Sequence, residues 1–168
     1  SPVPPVPYSL DELVEDLEAL RQSLGHQRIH VVGHSLGGQI GPAYARKHPK
    51  CVETVALLST AAGRTSEDSA KVKGVVAMMR EKGVEPLLKT LINRWFTDEF
   101  VANSPDAVEA RVKQVVETPE EVFLNVFDIY ANTEMLPWLT RINCPCLVMT
   151  GELDGGCNPV LNKLIADT

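Results

Sequence analysis

Ser35 stands in the run Ile29 to Ile40, IHVVGHSLGGQI, framed by Gly33 and Gly37 in the spacing G-x-S-x-G, with Gly38 extending it. A serine hydroxyl attacks a carbonyl carbon when a base takes its proton and an acid orients that base. The three fixed positions coincide by chance in about one chain in twenty of this length, so the motif draws its force from its setting. The chemistry needs the serine on a sharp turn between a strand and a helix, with Oγ presented above a sheet. Ile29, Val31 and Val32 form a short apolar run that ends at Gly33, and residues 37–48 favour helix before Pro49. Gly33 and Gly37 are expected to leave room where the two backbones crowd. The Leu36 N–H falls at the helix start, where unpaired N–H groups and the dipole favour negative charge, so it can hold the oxyanion formed on attack. His34, next to Ser35, reads as part of the pocket floor.

On such an elbow the acid follows the serine in sequence and the histidine comes last. VMTGELDGG puts Asp154 just after an apolar run, at the same end of a sheet as Ser35. Glu152 is the second candidate, nearer the end of that run. The base has no match. His26, His30, His34 and His48 all precede Asp154. His26 lies before the strand at its opposite end, His30 is inside it, His34 is on the elbow, and His48 ends the following helix. The expected base is a histidine encoded beyond Thr168.

The elements that must hold these residues alternate. Ser9 and Glu12 form a capping box. Leu10, Leu13, Val14, Leu17, Leu20 and Leu24 recur at helical spacing up to Gly25, which predicts a helix over 9–24. Strands are expected at 29–32, 52–58 and 146–150, the first of them buried. Asn158 and Pro159 open a last helix. Between the second and third strands, helices are expected at 70–82, 84–95, 105–117 and 119–132. Trp95, Phe96 and Phe100 sit around a turn, and Phe123, Val126, Phe127 and Tyr130 share one helical face. That face reads first as core packing, with Trp95, Phe127 and Trp138 as candidate substrate contacts. Alternation implies parallel pairing with right-handed crossovers. The helical insertion is too long for an ordinary crossover and reads as a cap over the carboxyl ends of the strands, where such sheets bind ligands. The expected division is 1–62 for the first part of the core, 63–138 for the cap and 139–168 for the rest of the core.

The 168 residues suggest one domain or part of one, and 44% apolar with 23% charged is ordinary for a globular protein. A net charge of −6 with scattered basic residues argues against a nucleic-acid partner. No apolar stretch approaches the roughly 18–20 residues that span a bilayer. The start, SPVPPVPYSL, is expected to be extended and lacks the basic opening and apolar core of a secretory signal. With no Met at its head, the sequence is expected to be a fragment, a processed chain or a partial reading frame. Cys51, Cys144, Cys146 and Cys157 lack zinc or redox spacing and read as inert thiols in a reducing, cytoplasmic compartment.

The elbow VVGHSLGG, the strand VETVALLST and INCPCLVMTGELDG resemble the α/β-hydrolase fold over essentially the whole chain. RWFTDEF followed by a helical run and LPWLTRINCP is similar to 3-oxoadipate enol-lactone hydrolases and their relatives. The resemblance implies a partial α/β-hydrolase fold holding the fifth, sixth and seventh of eight strands. The earlier strands, with the second oxyanion donor, would lie upstream, and the eighth strand with the histidine downstream. It implies Ser35 as nucleophile, Asp154 as acid and Leu36 N–H as one oxyanion donor. The implied activity is hydrolysis of a small-molecule ester or lactone with no metal or organic cofactor. Carbon–carbon bond hydrolysis, thioester hydrolysis and perhydrolysis use the same triad, and a non-catalytic ligand-binding member is the rival from another class. Serine at position 35 argues against the dehalogenases of this fold, which carry aspartate there. Without a third-strand partner, residues 29–32 would form an open apolar edge that favours aggregation.

Overall fold

The computed structural model describes residues 4–168. The first three residues of the proline-rich start, expected to be extended, lie outside them. Helix α1 (Leu10–Ser23) begins as its capping box requires: Ser9 Oγ accepts from Glu12 N at 3.2 Å, and the Glu12 carboxylate accepts from Ser9 N at 2.8 Å. It stops at Gly25, whose φ of 70° suits glycine. Val14 is buried, but Leu20 and Leu24, expected on the same stripe, are exposed. The buried stripe continues instead through Glu18, whose carboxylate is paired with Arg21 at 2.6 Å and accepts from Tyr44 Oη at 2.7 Å. A buried charge persists there because it is fully partnered.

Strand β1 (Ile29–His34) pairs in parallel with β2 (Val52–Leu58), and β2 with β3 (Cys146–Met149), in the order β1-β2-β3. The first strand runs two residues past its expected end, because Gly33 and His34 pair with Leu57 and Leu58. Helix α2 (Gly37–Lys47) joins β1 to β2. Val31, Val55 and Leu57 share one core with Val14 of α1, Ala43 to Ala45 of α2, and Ile165 of α9 (Pro159–Asp167). The other sheet face is open among the described residues: Val32 is 68% exposed, Leu147 54% and Met149 53%. The expectation that β1 is buried is thus met on the α2 face alone, since the helices packed on the sheet all feed the same core.

Between β2 and β3 come α3 (Ser66–Lys82), α4 (Leu88–Trp95), α5 (Asp98–Asn103), α6 (Pro105–Glu117), α7 (Glu120–Asn132) and the single turn α8 (Leu136–Leu139). They hold a second core of Val76, Met79, Val84, Leu91, Val115, Phe123 and Ala131. Helix α3 starts earlier than hydrophobic spacing implies because Thr65 Oγ1 caps it, accepting from Asp68 N at 3.1 Å. Pro86 sits in a tight turn that separates Val84 from α4. Where a turn was expected, α5 forms under a Thr97 cap, with Phe96 and Phe100 stacked at 5.2 Å between centroids. The last helix begins as expected, with Asn158 Oδ1 accepting from Leu161 N at 3.0 Å and Pro159 in first place. No described helix is long and apolar enough to cross a membrane.

Candidate active site

Ser35 leaves β1 with φ at 56°, a conformation that costs a non-glycine residue free energy and survives only where the surroundings impose it. Its N–H donates to Leu58 O at 2.9 Å, and its carbonyl accepts from Gly38 N at 2.9 Å, so both sides of the turn are pinned. The glycines divide in role. A Cβ on Gly33 would meet the Gly37 carbonyl oxygen at 1.9 Å, and one on Gly38 would meet Thr60 Cβ at 2.6 Å. A Cβ on Gly37 would meet nothing within 4 Å. The crowding expected of Gly33 and Gly37 therefore belongs to Gly33 and Gly38. Leu36 precedes the first residue of α2, and its N–H has no backbone acceptor among the described residues.

A cavity of about 1010 Å³ opens over Ser35, between the carboxyl ends of the strands and the helices inserted between β2 and β3. His34, Leu36, Trp95, Phe127 and Asp154 line it with Ser35. Trp138 does not. It lies under the Arg46 guanidinium at 4.3 Å and packs against the sheet-side core, so its place among the substrate contacts is corrected. The Phe127 ring lies 4.9 Å from that of Phe123 in the second core, and Phe127 also lines the cavity. Sequence reading missed Ser59, which follows β2 as Ser35 follows β1, also lines the cavity, and has φ at 45°. Its position one residue beyond a strand was the available signal. Arg94 and Arg111 add positive charge to the wall, with Arg111 lying 5.0 Å over Trp95.

Asp154 is partly buried and fixed by its own loop. Its Oδ1 accepts from Cys157 N at 2.7 Å and Gly156 N at 2.9 Å, and its Oδ2 lies 3.1 Å from the Thr150 hydroxyl. Glu152 is exposed and does not line the cavity. The histidines lie as their sequence positions suggest. His30 Nδ1 is 2.9 Å from Thr54 Oγ1, and His48 Nε2 is 3.2 Å from Glu15. His34 lines the cavity, yet no imidazole among the described residues hydrogen-bonds Asp154. Burial raises the Cys157 thiol and pushes the Tyr130 hydroxyl up to about 12. All four cysteines are free, and among the described residues no group of three His, Cys, Asp or Glu side chains is placed to hold a metal ion.

The arrangement has known counterparts. The alpha/beta hydrolase fold profile matches residues 1–159. The chain is 31% identical over 156 residues to 3-oxoadipate enol-lactonase 2 of Acinetobacter baylyi, covering 92% of this chain and 57% of that protein. A crystal structure of a hydrolase from Pseudomonas aeruginosa superposes with a TM-score of 0.87 at 27% identity, over 99% of this chain and 62% of the other. The enol-lactonase from Burkholderia xenovorans LB400 superposes at 0.86 and 26% identity, over 98% and 63%. The chain thus spans about three-fifths of the length of these relatives. Its strand–serine–helix turn, its parallel sheet and its matched profile make it a member of the alpha/beta hydrolase fold family.

Proposed function

We propose that the protein is a serine hydrolase that cleaves an ester or lactone bond of a small molecule through an acyl-enzyme. The observation that carries this reading is the pairing, in one cavity, of Ser35 on a strained, pinned elbow with Asp154 held by its loop amides. Ser35 Oγ attacks the carbonyl carbon while a histidine outside residues 1–168 takes its proton. Asp154 orients that imidazole through the side of its carboxylate not occupied by loop amides. The Leu36 N–H, with a second amide from outside this chain, holds the oxyanion. The imidazolium then protonates the departing oxygen. In a lactone that oxygen stays tethered to the acyl group. Water, deprotonated by the same imidazole, attacks the acyl-enzyme, and Ser35 regains its proton. No metal or organic cofactor enters these steps.

Similarity to enol-lactonases over most of this chain supports the lactone or ester class. The aromatic walls at Trp95 and Phe127 suit a small, partly apolar substrate. Residues 63–138 act as the cap that closes over it. The free thiols fit a cytoplasmic setting. A fluorophosphonate probe is expected to label the full-length protein at Ser35 and to leave its Ser35→Ala variant unlabelled. Equal labelling of both overturns the assignment. No labelling of either would identify a non-catalytic ligand-binding member of the fold.

A further inference from the structure

Tyr130 lies on the cap helix α7 and faces the same cavity as Ser35 and Asp154. Its hydroxyl meets the Cys157 thiol at 3.0 Å, and either atom can donate. Cys157 is the residue whose N–H donates to Asp154 Oδ1 at 2.7 Å. Its carbonyl is gripped by the Asn162 amide at 2.7 Å and the Thr150 hydroxyl at 2.8 Å. Tyr130 is tied to the core at its other end too. Its carbonyl accepts from Arg64 Nη1 at 3.3 Å and lies 3.4 Å from Gln39 Nε2, in the helix that follows Ser35. The Arg64 guanidinium lies 4.3 Å over the Tyr130 ring. One cap residue is thus joined to the nucleophile helix, to the segment after β2, and to the acid loop.

The surroundings give these bonds weight. Gln39 is fully buried and Cys157 is 8% exposed. A polar group that loses its partner on the buried side has little water to replace it, although the cavity side stays open. Both the hydroxyl and the thiol titrate above their ordinary values because of burial, so both keep their protons at neutral pH and the contact stays a neutral hydrogen bond.

We propose that Tyr130 and Cys157 form a positioning pair through which the cap, when seated, fixes the orientation of Asp154. The pair rests on the serine-hydrolase reading. Neither side chain touches the reacting atoms in this role. The hydroxyl holds the Cys157 turn, and the Cys157 backbone N–H holds the carboxylate. A tyrosine that instead contacted substrate directly would act independently of Cys157.

A double-mutant cycle on the full-length enzyme separates the two. With a p-nitrophenyl ester as substrate, Tyr130→Phe and Cys157→Ala are each expected to lower kcat about tenfold, the size of coupling within one hydrogen-bond network. KM is expected to change little. The double variant should lose about tenfold as well, not about a hundredfold. Cys157→Ser, which keeps a group able to bond the tyrosine, should recover most of the rate. Losses that multiply in the double variant, or a serine variant as slow as the alanine one, overturn the pairing. A second reading needs no turnover. Alkylation of Cys157 by iodoacetamide, followed by peptide mass analysis, should slow about fivefold in Tyr130→Phe, because the tyrosine hydrogen bond favours the reactive thiolate and its loss leaves burial to hold the proton on; an unchanged or faster rate overturns the pairing. Fluorophosphonate labelling in the unmutated enzyme stands apart from both. Its absence sinks the hydrolase reading, whereas multiplying losses with labelling intact sink the pairing alone.

Discussion

A methyl group on Gly33 would stand 1.9 Å from the carbonyl oxygen of Gly37, while one on Gly37 would meet nothing within 4 Å. The strand entering the elbow and the helix leaving it touch at Gly33, and the obstacle is backbone, which cannot swing aside as a side chain can. In the full-length protein, Gly33→Ala is therefore expected to lower the thermal midpoint by at least about 5 °C, or to prevent folding. Gly37→Ala, at the first position of α2, should leave the midpoint unchanged or raise it slightly, because alanine favours helix. Equal midpoints for the two variants would contradict this account of the turn.

Asp154 and Glu152 are two residues apart and carry the same chemistry, but only Asp154 faces the cavity with its carboxylate anchored. In the full-length enzyme, Asp154→Asn is expected to lower kcat by about 10⁴-fold, the scale seen when a triad acid no longer fixes its imidazole. Glu152→Gln should stay within about twofold, as an exposed loop carboxylate does. The steady-state rates of the two variants decide between them.

Glu18 ties α1 to α2, and the Arg21 guanidinium holds its carboxyl well below the usual carboxylate range, with bonds from Tyr44 and Gln22 adding to the effect. Because the folded pKa is lower than the unfolded one, the stability this group supplies is complete above the ordinary value of 4.5 and is lost as pH falls toward the folded value. In the full-length protein, Glu18→Gln should lower the thermal midpoint at neutral pH and flatten its decline between about pH 5 and pH 3. Parallel declines in variant and wild type would show that another group governs the acid limb.

Val32, Leu147 and Met149 share one uncovered sheet face, and β1 has a hydrogen-bonding partner on one side among the described residues. Open apolar faces and edges promote association. The 168-residue chain by itself is expected to scatter light and melt without a sharp transition. Val32→Thr with Leu147→Thr should reduce the scattering at equal concentration. A monodisperse wild-type chain with a cooperative transition would refute the expectation.

Local chemistry explains which features were readable. The capping box at Ser9 and Glu12, the Asn158–Pro159 start of α9, and the strand that ends in GHSLG all depend on neighbours within a few residues, and all form where the sequence places them. The α5 helix escaped because a Thr97 cap and three bulky residues look like a turn without their packing. Leu20 and Leu24 obey the helical period and are still exposed, because the covering surface comes from α2, where Tyr44 reaches Glu18 instead.

The order of elements, the strand–serine–helix turn and the place of Asp154 after the third strand were determined by sequence alone, since backbone turns and hydrophobic periods are written in adjacent residues. Tertiary structure decided the rest: that Trp95 and Phe127 face the cavity while Trp138 lies under Arg46, that Ser59 joins Ser35 at the strand ends, and that Tyr130 reaches Cys157. Each of these is a meeting of residues far apart in the chain or a choice between two faces of one element. Such meetings follow from how layers pack together, which no window of neighbouring residues records.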